Sequence, residues 1–456
     1  MGYRQRLLER AERLGRPARA AVVGAGQMGT GFVAQIARQD GVTPSVVVDI
    51  EPERARAAYR GAGVEDAVPF ADRAGARAEI ERGGHVYASD VAQLAGLPLD
   101  IVLECSGVPE VAARVALTAL RSGVHVGLMT VEADVTAGLV LAALAERSGA
   151  VYTVCRGDEP VECLKLVEYV QDIGLELVSA GKGKNNPLDR SATPDALAAE
   201  ARRKGMNPRM LCSFVDGTKT MIEMAALANA ADLRLSTRSM HGPRVPVAEL
   251  ARVFCPASEG GVLGGDGEVD YATGEVAPGV FVVARARNEV VRAELEYLKM
   301  GPGPNFAFYR PYHLASIEAV LTIGEVLTEG RPSLAPTAWN AEVVAVAKRD
   351  LRPGERIDGI GGSMVHGDAV AAEEARAGGE LPLGLAGGAV LVRPVAQGEP
   401  VRYADVELDP SRLIVALRRA QDAMLERGGL DDGLAAGLTR LLDDRSAGAD
   451  AEGERA

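Results

Sequence analysis

The stretch that decides the fold is Ala20-Ala21-Val22-Val23-Gly24-Ala25-Gly26-Gln27-Met28-Gly29. Its apolar residues predict a strand, and the spacing G-x-G-x-x-G predicts a tight turn that opens a helix near Gln27. The first glycine allows the turn, the second lets the backbone approach a pyrophosphate, and the third lets helix and strand pack closely. The helix start supplies N–H groups and a positive dipole to the anion. A glycine turn without a ligand is the alternative. We predict that a dinucleotide is bound by Gly24, Gly26, Gln27, Met28 and Gly29.

A second strand, Val46-Val47-Val48-Asp49, ends in an acid 23 residues after Gly26. A carboxylate in this place accepts hydrogen bonds from the ribose hydroxyls and repels a 2′-phosphate, so Asp49 favours NAD. Arg54 and Arg56 lie nearby in sequence and keep NADP open as the cofactor. Capping of the helix that starts near Pro52 is the structural alternative for Asp49.

Strand and helix patterns alternate through residues 20–156. This alternation predicts right-handed βαβ units and a Rossmann-type, doubly wound parallel sheet of the α/β class. Ligands bind such sheets at the carboxyl ends of the strands, so Ser106, Gly107 and Thr130 are predicted beside the nicotinamide. The predicted strands are Ala20–Val23, Ser45–Asp49, His85–Ala88, Ile101–Glu104, His125–Leu128 and Ala150–Val154, and the predicted helices are 27–39, 52–60, 109–121 and 134–148.

Composition limits the classes of partner. The 456 residues predict two or three domains, at about 100–200 residues per domain. The net charge of −13 argues against broad binding of nucleic acid or of an anionic membrane. A long apolar run, a signal-peptide core and paired cysteine motifs are absent from the sequence, so we expect a cytoplasmic protein whose five cysteines are reduced. A homo-oligomer is expected from symmetry base rates.

A donor-rich loop follows a strand predicted at Leu175–Ala180. Lys182, Lys184, Asn185 and Asn186 supply cationic and amide donors, and the intervening glycines permit close approach of the backbone. This set suits a phosphate, a carboxylate or a polyol, so we predict that it binds a small anionic substrate. A solvated basic turn is the alternative.

A helix predicted at about 216–230 would place Asp216, Lys219 and Glu223 on one face. A desolvated lysine between two carboxylates can polarise or protonate a carbonyl oxygen while hydride reaches the carbon, and we assign this role to Lys219. An ordinary salt-bridged surface face is the alternative.

Paired acids, Asp158 and Glu159, precede Pro160 at a strand-to-helix junction. Such acids can hold Mg²⁺ or Mn²⁺ together with substrate oxygens, but they are also typical of a helix start with Pro at its first position.

His241 and His313 lie in polar turns, where a lone histidine is more often structural. Val290–Tyr297 is predicted to be a strand.

The sequence predicts six segments. They are 1–156, a dinucleotide-binding Rossmann domain; 157–300, an α+β substrate domain; 301–334, a helix returning to the Rossmann domain; 335–410, a C-terminal β-rich SAF-like domain; 411–443, a helical segment; and 444–456, a disordered tail.

Several of these motifs together resemble a known family. Gly24–Gly29 and Asp100–Gly107 resemble the nucleotide domain of homoserine dehydrogenases. The closer resemblance is to a branch of that superfamily that ends in a SAF domain, similar to 343–407 here, and includes the 1-deoxy-D-xylulose 5-phosphate reductoisomerase-like enzymes. The motifs that carry it are G-K-G-K-N-N-P (181–187), S-F-V-D-G-T-K-T-M (213–221), M-H-G-P (240–243), G-P-G-P-N (301–305) and Y-R-P-Y-H-L (309–314).

The reductoisomerase-like resemblance implies isomerisation followed by hydride transfer from NADPH, with a divalent metal on the vicinal oxygens. The loop 182–190 would then bind a phosphate, and Asp158 or Glu159 would serve the metal. Asp49 departs from this pattern because it favours NAD. We therefore expect an NAD(P)-dependent oxidoreductase acting on a small anionic or polyhydroxy keto or hydroxy compound. A homoserine dehydrogenase-like enzyme and a non-enzymatic NAD(H)-binding sensor are the alternatives.

Overall fold

The computed structural model describes residues 2–453, with side chains for residues 2–442. The chain forms two compact units, named here unit 1 and unit 2. Unit 1 contains the described residues up to Asp158, Leu314–Ala335 and the described residues from Pro410 onward. Unit 2 contains Glu159–His313 and Pro336–Asp409.

Unit 1 is built on a seven-stranded sheet in which all neighbouring strands are parallel. The strands are β1 (Ala18–Val23), β2 (Val42–Val48), β3 (Val68–Pro69), β4 (Val86–Ala88), β5 (Ile101–Glu104), β6 (His125–Leu128) and β7 (Tyr152–Val154). Their spatial order, β3-β4-β2-β1-β5-β6-β7, reverses direction between β1 and β5. This confirms the Rossmann-type sheet, and it places the expected ligand crevice beyond the carboxyl ends of β1 and β5. Only the short β3 was not predicted.

The helices of unit 1 cover the sheet with apolar side chains. Phe32, Ile36, Tyr59 and Ile323 are fully buried in one core cluster. The Tyr59 hydroxyl donates to backbone carbonyls at 2.9 and 3.1 Å, which satisfies its buried polar atom. The helices are Tyr3–Leu14, Gln27–Ile36, Pro52–Gly61, Arg73–Glu81, Pro109–Arg121, Val131–Ser148, Ala315–Glu318, Val320–Glu329, Leu413–Arg427 and Asp432–Gly453.

The C-terminal segment also belongs to unit 1. Helix Leu413–Arg427 packs on helices Pro109–Arg121 and Val131–Ser148. Its first amides, from Leu413 and Ile414, donate to the Glu110 carboxylate at 2.9 and 3.1 Å. The disordered tail predicted from residue 444 overlaps helix Asp432–Gly453, and residues 454–456 of that prediction lie outside the described residues.

Unit 2 contains a five-stranded mixed sheet. Its strands are β8 (Glu176–Lys184), β9 (Arg234–Leu235), β10 (Glu268–Thr273), β11 (Val280–Arg285) and β12 (Asn305–Arg310), in the order β12-β11-β8-β10-β9. The central β8 is parallel to β10 and antiparallel to β11. The predicted end of this strand at Ala180 is wrong, because backbone pairing continues to Lys184. Lys182 and Lys184 are therefore strand residues, two positions apart, and not part of a loop.

The helices of unit 2 include one that corrects a predicted strand. Residues Glu289–Tyr297 are helical, and the Asn288 side chain accepts from the amides of Val290 and Val291, so it caps the helix start. The two β-branched valines made the segment resemble a strand, and the cap outweighs that preference. The other helices are Glu159–Asp172, Pro194–Lys204, Pro208–Val215, Thr218–Ala230, Leu250–Val253, Ala372–Gly378 and Leu383–Ala386.

The C-terminal β-rich module is part of unit 2. It contains two antiparallel pairs, β13 (Ala341–Ala347) with β14 (Val365–Ala371) and β15 (Val390–Leu391) with β16 (Val406–Glu407). The buried Asn229 side chain joins it to helix Thr218–Ala230 by accepting from the amides of Asn340 and Ala341 at 2.8 and 2.9 Å. Among the described residues, no helix has the length and apolar character needed to cross a bilayer.

Candidate active site

The glycine turn after β1 fits a dinucleotide. Gly24 has φ +92°, and a Cβ there would lie 2.9 Å from the Cys105 carbonyl carbon. A Cβ at Gly29 would lie 1.7 Å from the Gly24 oxygen, so close helix–strand packing explains this glycine. A Cβ at Gly26 would meet no atom of the described chain within 4 Å, so internal packing does not require glycine there. Close approach of a pyrophosphate does require it, and Gln27 and Met28 begin the helix whose N–H groups would bind the phosphate oxygens.

Asp49 braces this turn. One carboxylate oxygen accepts from the Ala25 amide at 2.7 Å, and the other accepts from the Glu51 amide at 3.0 Å. The carboxylate is half-buried at the end of β2, where its remaining lone pairs suit ribose hydroxyls. Arg54 pairs with Glu51 at 2.8 Å and Arg56 lies 3.7 Å from Glu53. Both arginines are thus already paired with acids, which favours NAD over NADP.

Ser106, Gly107 and Thr130 come together after β5 and β6. The Gly107 amide donates to Thr130 Oγ1 at 2.9 Å, and the Ser106 amide donates to a Glu104 oxygen at 2.7 Å. Glu104 is fully buried, and its Oε2 has no hydrogen-bond partner among the described residues. Burial raises the pKa of Glu104 to about 7, although the hydroxyls of Ser106 and Thr130 counteract this effect. Near pH 7 the Glu104 carboxyl is therefore neutral in about half of the molecules.

A buried ion-pair cluster occupies the middle of unit 2. Lys182 Nζ donates to Glu159 Oε1 at 2.7 Å and also to the Glu223 carboxylate. Burial would lower the pKa of Lys182, but the two carboxylates outweigh it and raise that pKa. Burial likewise opposes ionisation of Glu159, and the charges of Lys182 and His313 reverse this and lower its pKa. Lys182 therefore stays charged across the physiological pH range.

Lys219 lies beside this cluster, with Nζ 3.8 Å from a Glu223 oxygen. The predicted face of Asp216, Lys219 and Glu223 is wrong at Asp216. The helix begins at Thr218, after Gly217 with φ +88°, so Asp216 lies before its first turn. Asp216 instead accepts from the Thr218 amide at 2.9 Å and pairs with a buried lysine, Lys348.

Lys184 differs from Lys182 in its partners. Its Nζ donates to the backbone carbonyls of Asn186 at 2.7 Å and Phe214 at 2.8 Å. Burial and the neighbouring charge of Lys182 lower the pKa of Lys184 to about 8. Asn186 is half-buried and Asn185 is exposed, so the four donors of the predicted loop do not form one buried set. Lys184 is a cation that can exchange its proton near neutral pH.

Sequence reasoning weighed His313 as a residue that could approach the substrate and preferred a structural role for it, and it missed Lys348. His313 Nε2 lies 3.4 Å from Glu159 Oε1, at the end of the Y-R-P-Y-H-L motif. The small number of lysines in the sequence could have drawn attention to Lys348. The chain has 50 lysines and arginines, and only seven are lysines: 165, 182, 184, 204, 219, 299 and 348. Of the seven, Lys182, Lys184 and Lys348 are buried, and a buried lysine is a candidate functional residue because burying its charge is costly.

The predicted metal ligands are Asp158 and Glu159, both buried. Asp158 ends the first segment of unit 1, and Glu159 begins unit 2. Oxygens of Glu159 and Glu223 lie within 4.8 Å of each other, close enough to share a cation. The Lys182 ammonium already binds both carboxylates. The ammonium occupies the place between the two carboxylates and offsets one of their two charges, so this arrangement in unit 2 does not fit a resident divalent metal as it stands.

Comparison with known proteins agrees with this geometry. Residues 24–154 match the homoserine dehydrogenase NAD binding domain, residues 157–319 match the catalytic domain of oxidoreductase DRL, and residues 342–407 match the SAF domain. No curated protein matches the chain. A probable dehydrogenase from Thermotoga maritima is 13% identical, with 70% of this chain and 90% of that chain covered and a TM-score of 0.40. The myo-inositol dehydrogenase from Lactobacillus casei, in complex with NAD(H) and myo-inositol, is 15% identical, with 71% and 90% covered and a TM-score of 0.39.

An NAD-binding domain followed by an oxidoreductase catalytic domain defines the class of protein, an NAD-dependent oxidoreductase. The SAF match completes the domain set predicted from the motifs. The chain is a SAF-domain oxidoreductase of the homoserine dehydrogenase-like superfamily.

Proposed function

We propose that the protein interconverts a hydroxyl and a carbonyl group on a small, anionic, polyhydroxy compound. The observation that carries the proposal is the pair of buried lysines on β8 with opposite surroundings. Lys182 is neutralised by two carboxylates, whereas Lys184 donates to neutral carbonyls. The charge of Lys184 is not cancelled by these contacts, so a bound anion would be attracted to it.

Each of the three lysines would have a different role in the reaction. Lys184, with a pKa of about 8, would give a proton to the substrate oxygen in reduction and take it back in oxidation. Lys219 would polarise the same oxygen, held by Glu223. Lys182 would fix Glu159 and Glu223 in place and keep both ionised. Asn185 and Asn186 would bind substrate hydroxyls, and Asp216 would act only through the helix start that it caps.

The cofactor requirement follows from unit 1. NAD would supply or accept the hydride when bound. Gly24, Gly26 and Gly29, with the amides of Gln27 and Met28, would hold its pyrophosphate, and Asp49 its ribose. Ser106, Gly107 and Thr130 would border the nicotinamide end. NADP remains an outcome of the test, although the pairing of Arg54 with Glu51 weighs against a 2′-phosphate site.

The particular reaction within this class is a narrower proposal. A reductoisomerase-type reaction is supported by the match to the DRL catalytic domain. That reaction as implied by the resemblance uses Mg²⁺ or Mn²⁺ on Asp158 or Glu159, and the Lys182 ion pair opposes this part. A homoserine dehydrogenase-like oxidation would need neither a metal nor a phosphate. We further expect a homo-oligomer in the cytoplasm, without nucleic acid or membrane as a partner.

The test is a steady-state assay of nicotinamide absorbance. Purified protein is assayed with NADH or NADPH and 1-deoxy-D-xylulose 5-phosphate, with NAD⁺ or NADP⁺ and L-homoserine, and with a panel of sugar phosphates and polyols, with and without EDTA. Turnover on an anionic polyol is expected, with the reduction rate falling as the pH rises through about 8, because Lys184 loses its proton. Loss of that rate on EDTA treatment would contradict the metal-free arrangement.

Variants assign the role of Lys184. Lys184→Met should lower turnover by about 100-fold, the lower end of the usual general acid–base contribution, and leave NAD affinity unchanged. The matched control is Arg393→Met, which removes an exposed cation of the SAF module and should change neither. Tight NAD(H) binding without turnover on any substrate would overturn the enzyme proposal in favour of the sensor.

A further inference from the structure

Lys348 is a buried lysine of the SAF module, one residue after β13. Its Nζ lies 2.8 Å from Asp216 Oδ2 and donates to the carbonyls of Ala192 and Gly362, each at 2.7 Å. An ammonium has three N–H donors, so these three oxygens satisfy it completely. The Lys348 side chain is only 2% exposed and that of Asp216 is 0% exposed.

Two of the three partners of Lys348, Ala192 and Asp216, lie on the segment whose carbonyls also bind Lys184. Ala192 and Asp216 belong to residues 185–217, which connect β8 to helix Thr218–Ala230. Lys184 donates to two carbonyls of this same segment, those of Asn186 and Phe214. Phe214 precedes Asp216 by two residues, so the two lysines hold the segment at nearly the same places. A displacement of this segment would therefore alter the surroundings of Lys184.

A second contact fixes the helix that carries Lys219 and Glu223. The Gly367 amide of β14 donates to Thr218 Oγ1 at 2.8 Å, and Thr218 is the first residue of that helix. A Cβ at Gly367 would lie 3.1 Å from Thr218 Cγ2, so the strand and the helix start approach closely. The SAF module thus contacts the segment whose carbonyls bind Lys184 and the helix that bears Lys219.

The energetics of buried ion pairs indicate that the Lys348–Asp216 pair positions the segment rather than stabilises the fold. Desolvating Lys348 and Asp216 offsets most of their attraction, and replacing such a pair by neutral residues is often neutral or stabilising. A pair retained in spite of this cost fixes geometry. We propose that Lys348 is a positioning residue through which the SAF module sets the environment of Lys184 and the start of the helix bearing Lys219. Only the catalytic roles of those two lysines rest on the proposed function.

The experiment measures Lys184 without any substrate. Full-length protein is labelled with acetic anhydride across pH 6–11, and peptide mass spectrometry gives the rate for each lysine, which is tractable because the chain has only seven. The charged groups that face Lys184 are Lys182, Asp216 and Glu223. In the main variant, Lys348→Met/Asp216→Asn, loss of the Asp216 charge would by itself lower the pKa of Lys184, so a rise in that pKa has to come from the released segment. Exposed Lys204 and Lys299 are internal references, and Arg393→Met is the control variant.

The expected result is a Lys184 profile that moves from a midpoint near pH 8 toward the ordinary lysine range near 10.5, because the segment that cages it is released. At pH 7.5 its fraction in the reactive, unprotonated form should fall by at least tenfold. An unchanged Lys184 profile in the folded double variant would overturn the proposal. Should the double variant fail to fold, Lys348→Arg decides, since it retains a cation opposite Asp216 and should shift the profile in the same direction.

The activity readout separates this proposal from the proposed function. With a substrate identified, the double variant should lower kcat more than it raises KM and should shift the pH profile of kcat as it shifts the labelling. Without any turnover, the labelling profile still decides whether Lys348 positions Lys184.

Discussion

Two buried carboxylates of unit 1, Glu104 and Asp134, differ from Glu159 of unit 2 in how burial changes their pKa. In unit 1, Glu104 and Asp134 are surrounded by neutral donors, amides and hydroxyls for Glu104 and the Tyr152 hydroxyl for Asp134 at 2.8 Å. Burial raises the pKa of each to about 7. In unit 2, Glu159 is similarly buried, yet Lys182 and His313 lower its pKa.

The difference shows what a counter-charge adds to burial. Desolvation alone stabilises the neutral acid, so Glu104 can gain or lose a proton near pH 7. A lysine in direct contact reverses the balance and keeps Glu159 ionised, at the cost of burying a second charge. The Lys182 cluster of unit 2 is therefore a fixed array of charges suited to orienting a reacting group, whereas Glu104 and Asp134 of unit 1 change charge with pH.

The largest effect is expected from breaking the cluster of unit 2. Lys182→Met leaves Glu159 and Glu223 buried without their lysine, which should cost about 3–5 kcal/mol of unfolding free energy. Urea unfolding followed by Trp339, the one tryptophan, reports unit 2 directly. Lys204→Met removes an exposed pair with Glu200 and should cost under about 1 kcal/mol. An equal loss of unfolding free energy in the two variants would show that the Lys182 cluster does not behave as a buried ion pair.

A smaller change in stability, of opposite sign, is expected when Glu104 of unit 1 is replaced. With a folded pKa near 7 and an ordinary value of 4.5, Glu104 lowers stability as the pH rises from 4.5 to 7. That shift corresponds to about 3 kcal/mol above pH 7, at about 1.4 kcal/mol per pKa unit. Glu104→Gln should therefore stabilise unit 1 at pH 8 and have little effect at pH 4.5. Hydrogen exchange of the β5 amides at both pH values measures this, and a variant that is destabilising at pH 8 would show that Glu104 is not a buried, desolvated acid.

The smallest effect is expected at Asp49, which is only half-buried, and it concerns cofactor affinity. Asp49→Asn retains an acceptor for one of the two backbone amides but loses the other acceptor and the charge, so NAD affinity should fall about tenfold, or about 1.4 kcal/mol. Discrimination against NADP should weaken as well, because the repulsion of a 2′-phosphate is lost. Calorimetry with both cofactors measures the change, with Glu65→Gln, an exposed acid, as the control. Unaltered affinity for both would leave Asp49 with a purely structural role in bracing the turn.

The cofactor turn was predictable because its requirements are local. Gly24 and Gly29 are needed by backbone geometry and close packing, Gly26 by the proposed pyrophosphate, and the spacing alone encodes all three. Asp49 followed from its place at the end of the next strand. The catalytic cluster was predicted only in part, because its contacts join residues far apart in sequence, such as Lys182 with Glu223. The role given to Asp216 failed for this reason, since its partner, Lys348, lies 132 residues away.

The amino-acid sequence by itself determined the Rossmann sheet, the cofactor class and the domain set, since these depend on hydrophobic period, glycine spacing and short motifs. Only the tertiary structure decided which lysines are neutralised. Side-chain charge depends on what lies within a few ångströms after folding: Lys182 meets two carboxylates there, while Lys184, two residues along the same strand, meets only carbonyl oxygens.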